Sequence, residues 1–364
     1  MNRVRLPLCA AALMLLQSCG GATAPVSTAP APASSASKPA EASAALAKPA
    51  ASASSAAKAA SSGLTKIVAS YSNIFAVYLP LWLAKDTGQF EKNGLDVETT
   101  LIESIKGVPA LLSGEVQFAA IGGPEQLASA ANGGDVAVIT VDQPTSAYVL
   151  MGPASMKTVP DLKGKKLGIS SIGGAADIST RLALLKFGLD PDKDVTIVPV
   201  GSLTNRLAAL INGATDAGIA QVPETLQLED KGFRTLVDLS QTDLPGVGGG
   251  VITRRSYTQD HRDVVQRYVD AHIAAVRIAK TDRARTIATL KKYMKIDDEK
   301  QLNATYEFYA VKYLPALPAP RPDDFVGAQQ IMGAKDDKVR NYNRANFIDD
   351  SFVKSAAARG LDKA

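Results

Sequence analysis

Cysteine and histidine are nearly missing from this 364-residue chain. The two cysteines, Cys9 and Cys19, fall within the first twenty residues, so the body of the protein can hold neither a disulfide framework nor a thiolate metal site. The two histidines, His261 and His272, stand in a helical-looking stretch without a companion set of Cys or carboxylate ligands and read as surface groups. There is no Gly-x-Ser-x-Gly elbow and no dinucleotide fingerprint. The Gly246–Gly250 cluster lacks the Lys-Ser/Thr that would make it a phosphate loop. Aromatic residues make up only 5%, and the single tryptophan, Trp82, reads as core. Net charge is also lacking where it would count. Of the formal +4, Arg3 and Arg5 supply half, and Lys38, Lys48 and Lys58 against Glu41 supply the rest. Residues 64–364 are therefore neutral, without the basic footprint of a nucleic-acid binder. These absences argue against an enzyme: no catalytic residue, metal or cofactor is expected.

No long apolar run is evident either. Leu6–Leu16 is short of the ~20 residues that span a bilayer. With Arg3 and Arg5 ahead of it, it reads as a secretory signal over residues 1–18. The run ends in Leu16–Gln17–Ser18–Cys19–Gly20, which resembles a bacterial lipobox; the resemblance implies a lipid on Cys19. The alternative is a plain signal peptide cut further on. Residues 19–63 form the next unit. From Gly20 to Gly63, 18 of 44 residues are Ala, 10 Ser and 5 Pro, with no aromatic, a composition that cannot bury a core and predicts a disordered tether. As a coil it would span about 35–40 Å.

What is present is a duplication. Residues 109–128 (PALLSGEVQFAAIGGPEQLA) are echoed by 208–227 (AALINGATDAGIAQVPETLQ), with the same spacing from Gly114 to Pro124–Glu125 as from Gly213 to Pro223–Glu224. Lys66–Ser70 opens one copy and Lys166–Ser170 the other, and Gly94–Leu95–Asp96 matches Gly188–Leu189–Asp190. Each copy alternates short strands with helices, which predicts two α/β lobes with mostly parallel sheets. Beyond Arg254 the chain reads as helical, with Val264, Val265, Tyr268, Val269, Ile273 and Val276 on one face. Pro315, Pro318, Pro320 and Pro322 predict an extended strap, and a last helix is expected near Phe325–Met332.

The order KIVAS, YLPLWLAKDTGQFEKNGLDVE, GVPALLSGEVQFAAIG, DLKGKKLGIS and RLALLKFGLDPDKDVTIVPVG resembles the nitrate/sulfonate/taurine-binding proteins of ABC importers, whose superfamily includes thiamine-precursor-binding proteins. The resemblance runs from residue 66 to about 310. It implies a type II periplasmic-binding fold: lobe one from residues 64–152 and 249–364, lobe two from 153–248 inserted into it, and hinges at Ala147–Met151 and Gly249–Thr253. It further implies a monomer on the periplasmic face of the cell envelope, held by the lipid on Cys19, which hands a small-molecule ligand to an ABC permease in the inner membrane.

Ligands of open parallel sheets lie beyond the carboxyl ends of the strands. Four such ends feed helix starts here: Ser70, Ile121, Ser170 and Ala220. Helix starts present free N–H groups, so a closing cleft could hold an anion without Lys or Arg. The candidate contacts are Ser72, Asn73, Gly122, Gly123, Ser171, Gly173, Gly174, Ala175 and Gln221, with Tyr71 and Tyr148 as walls. Each has a plainer reading: a turn at Gly173–Gly174, an N-cap at Ser171 or Asn73, sheet-edge bonding at Gln221. Glu125 and Glu224 suit the first turn of a helix, yet a carboxylate there could instead take a cationic ligand. Arg181 reads as a surface or lobe-packing residue. The first ligand expected is a small sulfonate, taurine or carboxylate; the alternative is a thiamine-type pyrimidine or other heteroaromatic. A pyrimidine-forming enzyme of the same fold is a further rival, but the Lys and His chemistry it would use is not located in the sequence.

Overall fold

The computed structural model describes residues 63–363. The signal segment, Cys19 and nearly all of the tether lie outside the described residues. Lobe one opens with β1 (Thr65–Tyr71), α1 (Leu79–Asp86), α2 (Gln89–Lys92), β2 (Leu95–Leu101), α3 (Ser104–Ser113), β3 (Phe118–Gly122), α4 (Gly123–Ala131) and β4 (Ala137–Val141). The chain then crosses to lobe two: β5 (Val149–Pro153), β6 (Lys166–Ile169), α5 (Ala175–Lys186), β7 (Thr196–Pro199), α6 (Leu203–Ile211), β8 (Ala217–Ala220), α7 (Glu224–Glu229) and β9 (Phe233–Asp238). β10 (Gly249–Thr253) returns to lobe one. There follow α8 (Arg255–Asp260), α9 (Arg262–Thr281), α10 (Arg283–Met294), α11 (Glu299–Thr305), a π-helical stretch Tyr306–Tyr313, α12 (Val326–Gly333), α13 (Asp337–Asn341) and α14 (Ser351–Ala358).

The two sheets share one plan, β2-β1-β3-β10-β4 and β7-β6-β8-β5-β9. In each, β10 or β5 runs against its neighbours and the other strands run parallel. The duplicated sequence thus becomes duplicated topology. The glycines that mark it fall where the chain needs a left-handed residue: Gly94 and Gly188 have φ of 73° and 81°, Gly114 and Gly213 of 84° and 70°.

The expected boundaries shift in one respect. Val149–Pro153 is a strand of the second sheet, bonded to both β8 and β9, so lobe two begins before residue 153 and Ala147–Met151 is not a hinge as a whole. Gly249–Thr253 is likewise held inside the first sheet. The crossings are the segments before β5 and before β10, which touch where Asp142 and Gln143 both donate N–H groups to Gly249 O at 3.0 Å.

Lobe one is packed on one sheet face by α1, α9 and α10. Trp82 is fully buried and stacks on Tyr293 at 4.9 Å, and Phe118 stacks on Tyr268 at 3.8 Å. The predicted face of α9 is buried, each such side chain worth about 1.5–3 kcal/mol. Two expectations fail here. The chain does not end its helices at Phe325–Met332: α14 follows and buries Phe352, Val353 and Ala356 in the core, an apolar face too short to stand out in the sequence. Nor is His272 a surface group. It is buried on α9, with Nε2 2.8 Å from Asp142 Oδ1 at the first crossing. Residues 314–321 carry no regular structure, as the prolines require.

The C-terminal segment also reaches lobe two. Ile331 and Met332 of α12 pack on Ile178, Leu182 and Val247, and Gly327 N–H donates to Gly246 O at 2.7 Å. Arg181 binds Asp177 and Asp192 within lobe two, both at 2.7 Å, and Lys335 of the C-terminal segment meets the same Asp192 at 3.1 Å, so Arg181 holds the carboxylate that this segment reaches. A Cβ on Gly327 would lie 2.6 Å from Pro245 O and 2.7 Å from Leu182 Cδ1. Gly327→Val is therefore expected to cost about 1–3 kcal/mol by overpacking this seam. The urea midpoint should fall at unchanged slope; an unchanged midpoint would mean that the seam yields freely.

Candidate functional site

A cavity of about 90 Å³ lies between the lobes, room for roughly three water molecules. The carboxyl ends of four strands open into it. From lobe one come Ser72 and Asn73 after β1, Gly122 at the end of β3, Glu125 in the first turn of α4, and Phe75, Val77, Tyr78, Ser104 and Gln143. From lobe two come Ser170 and Ser171 after β6, Gln221 after β8, Gly174, Ala175 and Ala176 at the start of α5, with Tyr148 and Arg206. Of the sequence candidates, Ser72, Asn73, Gly122, Tyr148, Ser171, Gly174, Ala175 and Gln221 are thus brought together. Three are not. Tyr71 packs edge-on against Trp82 at 5.7 Å, because its place in β1 turns it to the core. Gly123 is pressed against the second crossing, where an added Cβ would sit 2.0 Å from Val247 O. Gly173 serves the turn, with φ of 80° and its N–H donated to Asp177 Oδ2 at 2.8 Å.

The plainer readings of Ser171 and Asn73 do not hold either: neither the start of α5 nor the short turn at Ala76–Tyr78 has a side-chain cap. The first-turn N–H groups of Ala175 and Ala176 border the cavity, and helix geometry leaves them without intrahelical acceptors. The starts of α4 and α7 are different, since each repeat places its own glutamate there. Glu224 is buried and accepts Gln221 N–H at 3.1 Å and Arg206 Nη2 at 3.0 Å. Burial raises its carboxyl above the ordinary value, and the Arg206 guanidinium and the Gln221 N–H oppose that rise. Arg206 is itself buried and also donates through Nη1 to Ser170 Oγ at 2.6 Å.

Glu125 has no such partner. Its Oε2 is buried without a hydrogen bond, and desolvation raises its carboxyl, its own backbone N–H pulling the other way. It points across the cleft: a Cβ on Gly174 would lie 3.7 Å from Glu125 Oε1. The hydroxyls around it stay protonated. Burial raises Tyr78, which hydrogen-bonds Ser72, and pushes Tyr148 up to about 12. Arg206, Tyr78, Ser104 and Gln143 were not legible as site residues. Arg206 looks like any polar position on an amphipathic helix, and Ser170 and Glu224 are 36 and 18 residues away.

No lysine, histidine or cysteine lines this cavity, and no group of three or more possible metal ligands occurs among the described residues. The arrangement can bind, polarise and desolvate a small solute. A family model described as NMT1/THI5 like matches residues 76–283, more than half of the chain. The chain belongs to the NMT1/THI5-like family. One curated relative of this NMT1/THI5-like chain is the 4-amino-5-hydroxymethyl-2-methylpyrimidine phosphate synthase of Schizosaccharomyces pombe, 30% identical over 145 residues. That match covers 39% of this chain and 40% of the relative, so it spans about two fifths of the relative's length. Among solved structures, the alkanesulfonate-binding protein SsuA from Xanthomonas axonopodis pv. citri bound to MOPS superposes with a TM-score of 0.63 at 22% identity, covering 79% of this chain and 99% of SsuA. The periplasmic nitrate-binding protein NrtA from Synechocystis PCC 6803 gives 0.66 at 15% identity, covering 81% and 89%. At such identities the likeness establishes the fold, that of the periplasmic binding proteins.

Proposed function

We propose that this NMT1/THI5-like chain is the solute-binding component of an ABC import system, held at the periplasmic face by a lipid on Cys19. It captures a small organic solute between its lobes and presents the closed form to an inner-membrane permease as a monomer. The observation that supports binding over catalysis is the cavity itself. It is built from both lobes, lined by hydroxyl, amide, backbone and aromatic groups with Glu125 and Arg206, and carries no Lys, His or Cys that could act as base or nucleophile. Ser72, Asn73, Gly122, Tyr148, Ser171, Gly174, Ala175 and Gln221 are the proposed contacts. The pyrimidine synthase among the relatives marks an enzyme branch of the family, but the Lys and His chemistry sought in the sequence does not line this cavity.

For the ligand, the charges in the cleft favour the second of the two sequence readings. The one guanidinium lining the cavity is already held by Glu224. Each of the three helix starts carries a first-turn carboxylate of its own, Glu125 in α4, Asp177 in α5 and Glu224 in α7. A sulfonate or carboxylate would meet Glu125 with no free cation to balance it. A nitrogen-bearing solute, of which an aminopyrimidine is an example, can donate to Glu125 and lie against Tyr78, Tyr148 and Phe75. A thermal-shift series on the full chain tests this. A ligand at a hundred times its Kd should stabilise the chain by about 2.7 kcal/mol, a shift of roughly 5–10 °C. Amino-substituted heterocycles should give this shift and alkanesulfonates, taurine and nitrate should not; the reverse result would restore the anion.

A further inference from the structure

One of the differences between the two copies of the repeat lies at the site. Gly114 corresponds to Gly213 and Glu125 to Glu224, and the same offset sets Gly107 opposite Arg206. Each is the fourth residue of its helix, α3 or α6. In the first strands of the two lobes, Ser70 corresponds to Ser170. In lobe two the Arg206 guanidinium joins the other two members, donating to Ser170 Oγ at 2.6 Å and to Glu224 Oε2 at 3.0 Å. In lobe one, where glycine stands in place of the arginine, both counterparts are stranded. Ser70 Oγ and Glu125 Oε2 are buried, and neither has a hydrogen-bond partner. Two orphaned acceptors therefore match the two acceptors that Arg206 satisfies in the other copy. Gly107 is buried, and a Cβ there would already touch Ile121 Cγ2 at 3.2 Å, so the helix is closely packed at the point where an arginine would start.

The geometry points to a ligand whose planar N–H edge, an amidinium or a guanidinium, supplies in lobe one the donor that Arg206 supplies in lobe two, pairing with Glu125, the member of the stranded pair that lines the cavity. This rests on reading the cleft as a solute site and narrows its nitrogen-bearing ligand to that class. The physical reason is that a buried carboxylate is costly until a matched donor pairs with it. A planar fork also suits the two oxygens of a carboxylate better than a point charge does. The ligand would complete the pattern of the repeat, and it would do so only with the cleft occupied.

Isothermal titration calorimetry on the full chain tests this with small probes: methylguanidinium, acetamidinium, tetramethylammonium and methanesulfonate. The two forked cations should bind at least about tenfold more tightly than tetramethylammonium, which has the charge without N–H groups. Glu125→Gln should weaken methylguanidinium binding by roughly tenfold to a hundredfold while keeping the wild-type Tm within a few degrees. A pH series adds a second readout, since methylguanidinium stays charged throughout. Tyr78, Tyr148 and Arg206 line the cavity with Glu125, and Glu224 lies behind Arg206. The two phenols stay neutral over the acid range and Glu224 titrates alike in both proteins, so a loss of affinity on acidification that vanishes in Glu125→Gln belongs to Glu125. Binding of methanesulfonate but not the cations, or full affinity in Glu125→Gln, overturns the inference. If a larger heterocycle binds equally well to wild type and Glu125→Gln, the cleft reading stands and this inference alone falls; if no probe and no heterocycle binds, both fall.

Discussion

Arg206→Met is expected to lower the stability of the folded chain by about 3–5 kcal/mol, the usual cost of removing one member of a buried ion pair. Arg206 and Glu224 have side-chain exposures of only 3% and 4%, so water cannot take over the role of either. Methionine preserves much of the packing but leaves Glu224 with Gln221 N–H as its remaining partner and Ser170 Oγ without its donor. Denaturant unfolding at neutral pH measures the loss. Its pH dependence identifies the cause. Without the guanidinium, only the Gln221 N–H opposes the effect of burial, and the Glu224 carboxyl rises further above its ordinary value of 4.5. A raised acid binds more protons folded than unfolded, so the variant loses stability as pH rises past the unfolded value. Below it the carboxyl is neutral in both states and that part of the penalty disappears. The deficit should therefore shrink on acidification, and Glu224→Leu added to Arg206→Met should recover most of it. A deficit constant with pH and untouched by the second substitution would mean that Arg206 matters only for its packing.

Gly174→Val is expected to remove ligand binding by a hundredfold or more while leaving the chain folded. Gly174 has ordinary extended backbone at φ −81°, so a side chain brings no strain of its own. Its Cβ would lie 2.9 Å from Ser171 Oγ, a small side chain that can rotate, and 3.7 Å from Glu125 Oε1 on the facing lobe. The two valine methyl groups would then project into a cavity of about 90 Å³, occupying much of it and keeping the start of α5 away from Glu125. Calorimetry with whichever solute stabilises the wild type, alongside a Tm within a few degrees of it, measures both halves of the expectation. Unchanged affinity would show that the ligand does not approach α5. Gly123→Val is the control for the opposite mechanism: it should lose stability as well, because its Cβ would strike Val247 O of the crossing.

Much of the fold was open to reading because its determinants are local. Strand and helix periodicity, left-handed glycines at matched places and Pro–Glu helix starts all act within a few residues, and they recur at a fixed offset. Strand β8 ends at Ala220, where the sequence predicts a strand end. The elements that were missed are those whose stability comes from a distant partner. α14 buries three apolar side chains against the core, and His272 turns inward because Asp142 lies at the first crossing. Strand β5 has the same origin: nothing in Val149–Pro153 says which sheet it joins, and its bonds to β8 and β9 decide it.

The cleft divides along the same line. Position after a strand end is a local property, and it sufficed to bring Ser72, Asn73, Gly122, Ser171, Gly174, Ala175 and Gln221 to one cavity. Charge is not local. The sequence by itself determined two copies of a strand-end scaffold, each with a glutamate at a helix start. Only the tertiary structure decided that Glu224 meets a guanidinium and Glu125 does not, because the arginine sits on a different helix and reaches its partners only when α6, β6 and α7 converge. The energy of a buried carboxylate depends on what stands within a few ångströms of it, and that neighbourhood is set by how the elements pack.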